Sequence, residues 1–431
     1  MCEVDRPTAN GPKTGTMPRD LGWNLVGYGA VGGLGLILNS LIATLFNPGV
    51  LGVFTQTLAC FIVGAQVAVL GVHWSVGKYA AQHSESEDEC SALLVAALML
   101  VLATGSMVTL AGFFASDTLG RLLESDQLTV SVQLAAPGVL LFAVNKTLLA
   151  FVNGRLWMRA YAVLQVVRAA GLVVAVLILK WTGTSGAFIG AVLTIAEGIL
   201  LAVTLPIVRP TWTSSGWPRL RYWWDEHLRF GIWGTTGGIL GELNTRIDVL
   251  FIGWFMSDRA VGLYGFAAML AEGLYQVPVV VRQVYNPRLT HLVTAERFEE
   301  LGRLIREGRA YTYLSMGVLC AVAAVAYPMA VTILTGDAGY LEAHMAFVIL
   351  CLGLALSSGY IPFSQLFVQA GLARLNSQII VVGVVVNCSL NALLVPWYGM
   401  VGAAIGTAVS WLTLPWLIHH HGRRQWGLFR I

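Results

Sequence analysis

The sequence predicts an all-α, polytopic membrane protein with about twelve transmembrane helices in two six-helix lobes, both termini on the cytoplasmic side. Three observations lead there. Of 431 residues, 56% are hydrophobic and only 11% are Asp, Glu, Lys or Arg, against roughly a quarter in a soluble domain. Mean hydropathy is +0.71. So few charges would not cover the surface of a soluble protein of this length, whereas lipid as solvent removes the requirement. Second, apolar stretches of membrane-crossing length fall at 22–45, 50–72, 91–115, 131–152, 161–180, 185–208, 228–256, 261–285, 310–334, 341–369, 376–396 and 400–418. Third, with the N-terminus inside, 19 of the 26 Lys and Arg lie in cytoplasmic segments and three (Arg121, Lys180, Arg259) on the opposite side. That asymmetry favours an even number of crossings with both ends inside.

The organisation follows. Residues 1–20 are polar, with Pro7, Pro12 and Pro18, and lack the basic-then-apolar pattern of a signal peptide. They read as a cytoplasmic tail. Residues 21–208 form the first lobe, 209–227 a cytoplasmic linker, 228–418 the second lobe and 419–431 a second tail. The lobes carry a repeat: Gly183, Gly186, Ala187, Ile189 and Gly190 recur 216 positions later as Gly399, Gly402, Ala403, Ile405 and Gly406. Leu51-Gly52-Val53-Phe54 is echoed by Val261-Gly262-Leu263-Tyr264. Paired halves of this kind place a substrate route near midplane between them.

Several functions find no support. Cys2, Cys60, Cys90, Cys320, Cys351 and Cys388 are isolated, without disulfide or zinc spacing. Gly71 to Gly77-Lys78 has the wrong spacing for a phosphate loop and no hydroxyl after the lysine. His419-His420-His421 sits beside Arg423 and Arg424 and reads as an interfacial anchor. The short loops hold no nucleotide-binding or nucleic-acid-binding domain, and no cofactor is expected. The longest external loop, 116–130, carries only Arg121, too little for a polysaccharide polymerase or ligase.

Charges within the spans carry the chemistry, because each costs about 2.5–3.5 kcal/mol at mid-helix. They are Lys146, Arg168, Glu197, Glu242, Arg246, Asp248, Glu272 and Arg282. Glu242 and Arg246 are spaced i, i+4, and so are Asn244 and Asp248 on another stripe. A helix polar on two sides must be enclosed or line a cavity. Glu242 with Arg246 reads either as a structural ion pair or as part of such a cavity. Lys146, Arg168 and Arg282 have no carboxylate at i±3 or i±4. They are candidates for contacting an anionic substrate, with inter-helix pairing to Glu197 or Glu272 left open.

These residues resemble a family. Asn39, Pro48-x-x-Leu51-Gly52-x-Phe54, Asn244-x-x-Ile247-Asp248-Val249-Leu250-x-Ile252-Gly253, Asn286-Pro287-Arg288-Leu289 and Trp397-Tyr398-Gly399-x-x-Gly402-Ala403 are similar to O-antigen (Wzx-like) polysaccharide flippases. That family belongs to the multidrug/oligosaccharidyl-lipid/polysaccharide exporter superfamily, so the resemblance implies a MATE-like fold. It further implies alternating-access transfer of an undecaprenyl-pyrophosphate-linked oligosaccharide across the inner membrane. A polysaccharide polymerase and a chain-length regulator are implied as partners. An anionic substrate suits a cationic cavity of Lys146, Arg168, Arg246 and Arg282. Glu242, Asp248, Glu272 and Glu197 are then coupling or structural carboxylates, and a proton or sodium ion is the coupling ion. The rival readings are a multidrug/cation antiporter, whose cavity acidic residues would dominate, and a lipid II flippase, which usually carries two more helices.

Overall fold

The computed structural model describes residues 17–209 and 219–426. Most of the 1–20 tail, residues 210–218 of the expected linker and residues 427–431 of the second tail lie outside the described residues. Among those described, every regular element is helical. The first half contains α1 (Met17–Leu45), α2 (Pro48–Val69), α3 (Val72–Gln82), α4 (Glu87–Leu122), α5 (Asp126–Gly154), α6 (Met158–Trp181) and α7 (Ala191–Val208). The second contains α8 (Leu220–Asn244), α9 (Ile247–Phe255), α10 (Asp258–Thr294), α11 (Phe298–Thr335), α12 (His344–Ser357), α13 (Leu366–Gln369) and α14 (Ala373–Trp426). Short 3₁₀ segments at Gly186–Gly190, Ala338–Ala343 and Ser358–Phe363 lead into or continue these helices.

This is the expected polytopic bundle, with local corrections. The stretch 50–72 breaks at Leu70 and Gly71, both left-handed, so α3 leaves at an angle. The stretch 228–256 breaks at Thr245–Arg246. The stretches 376–396 and 400–418 are two helices joined within α14 at Gly399, where the backbone leaves the helix (φ 53°, ψ −131°), at the turn the sequence places there. The expected loop 286–309 is almost wholly helical: α10 and α11 run on and meet in a tight turn at Glu296, φ 55°. Its amphipathic sequence has the arginines a cytoplasmic surface needs and enough helix formers to continue past the bilayer. Nine helical segments among the described residues are long and apolar enough to cross a membrane. Counting α14 as two crossings and adding α1 and the α8–α9 pair is compatible with about twelve.

The outer surface confirms the solvent. Leu314, Val318, Val322, Val325, Met329 and Ile333 recur every three or four residues along α11 and are all exposed. Such a stripe on a water-soluble protein would drive association; here it faces acyl chains. Trp181, Trp254, Trp397 and Tyr398 stand exposed where the crossings end, the level at which amphipathic rings sit in a bilayer.

The repeat has a structural counterpart. Gly183 and Gly399 both hold left-handed backbone, φ 67° and 53°, at the turns opening the last helix of each half. More telling, the two copies of the Leu/Val-Gly motif meet. The first turns of α2 and α10 cross with Gly52 against Gly262. A Cβ on Gly52 would strike the Asp258 carbonyl, and one on Gly262 the Pro48 carbonyl. Asn47 caps α2 and Ser257 caps α10. Asp258 accepts from Gln56 Nε2 (2.7 Å) and from Ser125 Oγ (2.6 Å), tying α10 to α2 and α5.

At the opposite end, residues 219–231 pack on the first half. His227 bridges Ser75 Oγ (2.7 Å) and the Leu93 carbonyl (2.9 Å), and Tyr79 donates to Glu226 (2.8 Å). Trp223 donates to Glu89, which also pairs with Arg219. The other end of α8 belongs with the second half, where Asn387 donates to the Asn244 carbonyl (3.1 Å).

The orientation is tested by reporter fusions. Those after Ser86 and Glu300 are expected to read cytoplasmic, and those after Ser125 and Gly336 external. An external signal at Glu300 would overturn the assigned helix order of the second half.

Candidate functional site

A cavity of about 1060 Å³ lies between the halves, walled by α1 and α2 on one side and by residues 245–249 and α10 on the other. It lies on one side of the Gly52–Gly262 crossing and runs toward Arg282. Four of the residues singled out by sequence line it: Arg246, Asp248, Glu272 and Arg282. Asn39 and Gln276 line it too. Glycines at 29, 32, 33 and 35 thin the α1 wall.

The break after α8 creates this chemistry. Thr245 turns its hydroxyl back to the Glu242 carbonyl (2.8 Å), the local bond by which threonine competes with helix continuation. Arg246 then takes non-helical backbone, φ −126°, and α9 starts anew. Glu242 and Arg246 therefore do not share a continuous helical face, and the i, i+4 ion pair read from spacing does not form. Arg246 instead lies 3.7 Å from Glu272 on α10, while its Nε is buried without a partner. Asp248 enters the first turn of α9, where a carboxylate suits the helix dipole. It accepts from the Val249 amide (2.8 Å), Tyr264 Oη (2.6 Å) and Thr407 Oγ1 (3.2 Å). Asn387 and Asn391 hydrogen-bond each other on α14, and Gly406, next to Thr407, packs closely on Asn391. Arg282 donates to Ser364 Oγ (3.1 Å) and has no ion pair among the described residues.

The remaining four lie elsewhere. Arg168 on α6 makes a two-point contact with Glu197 on α7 (Nε 2.8 Å, Nη2 2.5 Å) and stacks on Phe142 at 4.0 Å. Asn145 donates to both the carbonyl and a carboxylate oxygen of Glu197, each at 2.8 Å. This is a buried ion pair inside the first half, away from the cavity lining. Lys146 donates to Gln66 Oε1 (2.9 Å), and Gln66 donates on to Glu242 (3.3 Å). That chain links α5, α2 and α8 across the halves. Sequence reasoning gave no site role to Gln66, Asp258, Tyr264 or Thr407, although Tyr264 closes the Val261-Gly262-Leu263-Tyr264 echo and Thr407 follows the Gly402 to Gly406 repeat.

The described residues thus form a helical bundle in two halves, with broken helices and a charged cavity between them. The profile of the polysaccharide biosynthesis protein family matches residues 18–293, more than half of the chain, and the chain belongs to that family. Among solved structures it is similar to an inward-facing multidrug-resistance MATE transporter (TM-score 0.68, 15% identity, covering 97% of this chain and 96% of that one). It is also similar to the lipid II flippase MurJ in an inward closed conformation (TM-score 0.71, 14% identity, covering 92% and 87%). A third is the Vibrio cholerae MATE transporter VcmN (TM-score 0.63, 14% identity, covering 96% and 98%). An uncharacterised membrane protein of Methanocaldococcus jannaschii is 23% identical over 172 residues, 40% of this chain and 39% of that protein. The match thus spans about two-fifths of that relative.

Proposed function

We propose that the protein is a flippase that carries a lipid-linked, pyrophosphate-bearing oligosaccharide from the inner to the outer leaflet of the plasma membrane by alternating access. The observation that carries this reading is the inter-half cavity in which Arg282 stands without a carboxylate partner. Arg246, held only loosely by Glu272, adds a second guanidinium with a spare donor. Guanidinium forks match phosphate oxygens in pairs. An anionic head group leaving water needs its hydration replaced, and fixed donors lower that barrier. Family membership in polysaccharide biosynthesis supports the substrate class, and the lipid II flipping of the structurally similar MurJ supports the reaction type. The α2–α10 crossing closes the outer end of the cavity, so the form described faces inward. The halves turn about the link in α8. A polymerase and a chain-length regulator are the expected neighbours in the pathway.

A second reading, a multidrug or cation antiporter, is favoured by Asp248 and Glu272, which give the cavity as many carboxylates as arginines. In the flippase, those carboxylates keep the field from trapping the substrate, and Asp248 couples transport to a proton or sodium gradient. The test is lipid-linked oligosaccharide flipping in vesicles, with and without an imposed gradient, comparing wild type with Asp248→Asn and Glu272→Gln. A gradient is expected to speed wild type, and Asp248→Asn to remove the gradient dependence. Wild-type rates indifferent to both gradients would end the coupling role. Transport of organic cations but no lipid-linked sugar would favour the antiporter.

A further inference from the structure

A second cavity, about 740 Å³, opens where the two ends of α14 come together, and it shares no lining residue with the inter-half cavity. Arg374 and Gln378 come from the start of the helix, His421 and Arg424 from its end, with Leu372 and Leu375 beneath. No carboxylate lines it, and neither arginine forms an ion pair among the described residues. Both arginines are exposed. Two guanidiniums lining one cavity without a counter-ion repel each other, and an anion between them relieves that repulsion. The floor is different. Leu372 and Leu375 pack on a small apolar cluster that contains Phe367, Ile379 and Ile418. The cavity is therefore amphiphilic, cationic at the rim and oily at the base.

Its depth is marked as well. Trp416 is exposed one turn before the cavity and stacks on His420 at 5.8 Å, as an interfacial aromatic does. Phe367 meets His421 edge-on at 6.3 Å and fixes its ring. Burial lowers the His421 pKa below its ordinary value, and His420 and Arg424 act in the same direction.

We propose that this cavity binds the head group of an anionic phospholipid of the surrounding leaflet, the phosphate held between Arg374 and Arg424 and the glycerol region resting on Leu372 and Leu375. Basic pockets between membrane helices on the cytoplasmic side recognise lipid phosphates in this way. The site joins the first and last turns of α14, so an occupying lipid braces the outer layer of the second half. It stands apart from the transport reading and needs only that the α14 ends lie at a membrane surface.

The test uses the full-length protein purified and reconstituted in phosphatidylcholine nanodiscs. Phosphatidylglycerol is titrated in, and bound lipid is counted by native mass spectrometry alongside the thermal unfolding midpoint. Wild type is expected to retain phosphatidylglycerol and to unfold at a higher temperature with it. Arg374→Gln with Arg424→Gln is expected to weaken retention by about tenfold or more, because each removes a charge-assisted contact. Arg374→Lys with Arg424→Lys keeps much of the retention, and Arg423→Gln, outside the cavity, keeps all of it. Equal retention in wild type and the double Gln variant overturns the proposal. So does inorganic phosphate matching phosphatidylglycerol in the unfolding shift, or retention confined to undecaprenyl pyrophosphate.

Discussion

Replacing Gly262 with leucine is expected to abolish transport while the protein still inserts and accumulates. The first turns of α2 and α10 touch backbone to backbone, with Gly52 and Gly262 at the contact. A side chain at either position would occupy the space of a main-chain carbonyl, of Pro48 or of Asp258. Main chain does not yield as a flexible side chain does, so the helices must separate. Overpacking of a close contact costs about 1–3 kcal/mol, and every 1.4 kcal/mol is tenfold in a population. The closed outer end thus loses about tenfold to a hundredfold in occupancy, and the protein rests open to the outside. Alanine at Gly262 is expected to act in the same direction, more weakly. The check is thiol labelling from outside at Thr55→Cys, a cavity position one turn from the crossing, in a cysteine-free background. Wild type is expected to be protected and Gly262→Leu labelled. Labelling unchanged by the substitution, together with normal transport, would show that the crossing is not the outer gate. Asp258→Asn tests the same gate with less force, because Gln56 and Ser125 hold the carboxylate in this closed form.

The sequence pattern announced this contact without locating it. The echo of Leu51-Gly52 in Val261-Gly262 was legible, and two glycines at equivalent places in paired halves invite a close approach. That they approach each other depends on how the halves pack, which no local pattern encodes. The same limit explains the charges. Arg168 and Glu197 are 29 positions apart on antiparallel neighbours, and spacing rules see only one helix at a time. Glu242 and Arg246 misled for the converse reason: the spacing assumed helix continuity, and the Thr245 back-bond ends α8 between them. Asp258 drew no notice in the sequence, because the partners that give it a role lie on α2 and at the start of α5. Composition, by contrast, fixes how much of the chain must meet lipid. The fold class and the approximate placement of the nine long apolar segments, together with the turn at Gly399, were therefore readable, and the breaks at Leu70 and Thr245 were not.

The intramembrane arginines are expected to separate into two kinds when each is replaced by glutamine. Arg168→Gln should act on folding. It leaves Glu197, 4% exposed, with Asn145 but no cation, and breaking a buried pair from one side costs about 3–5 kcal/mol. Protein level and thermal midpoint should fall together. The double variant Arg168→Gln with Glu197→Gln is expected to recover most of that loss, since two neutral amides can hydrogen-bond where one stranded carboxylate cannot. Arg282→Gln should do the opposite. Its only described partner is the Ser364 hydroxyl, so the fold loses little. The flipping rate should drop about tenfold to a hundredfold, the effect of one lost charge-assisted hydrogen bond of about 1.5–3 kcal/mol. Arg282→Lys should keep part of the activity, because the charge remains and the fork is lost. Arg246→Gln should resemble Arg282→Gln in rate, with a small fold penalty from freeing Glu272. Measuring expression, unfolding midpoint and flipping for the same set decides the matter. If Arg168→Gln folds normally yet stops transport, the substrate path runs through the first half beside Phe142. If Arg282→Gln flips at the wild-type rate, the cavity between the halves is not where the pyrophosphate is held.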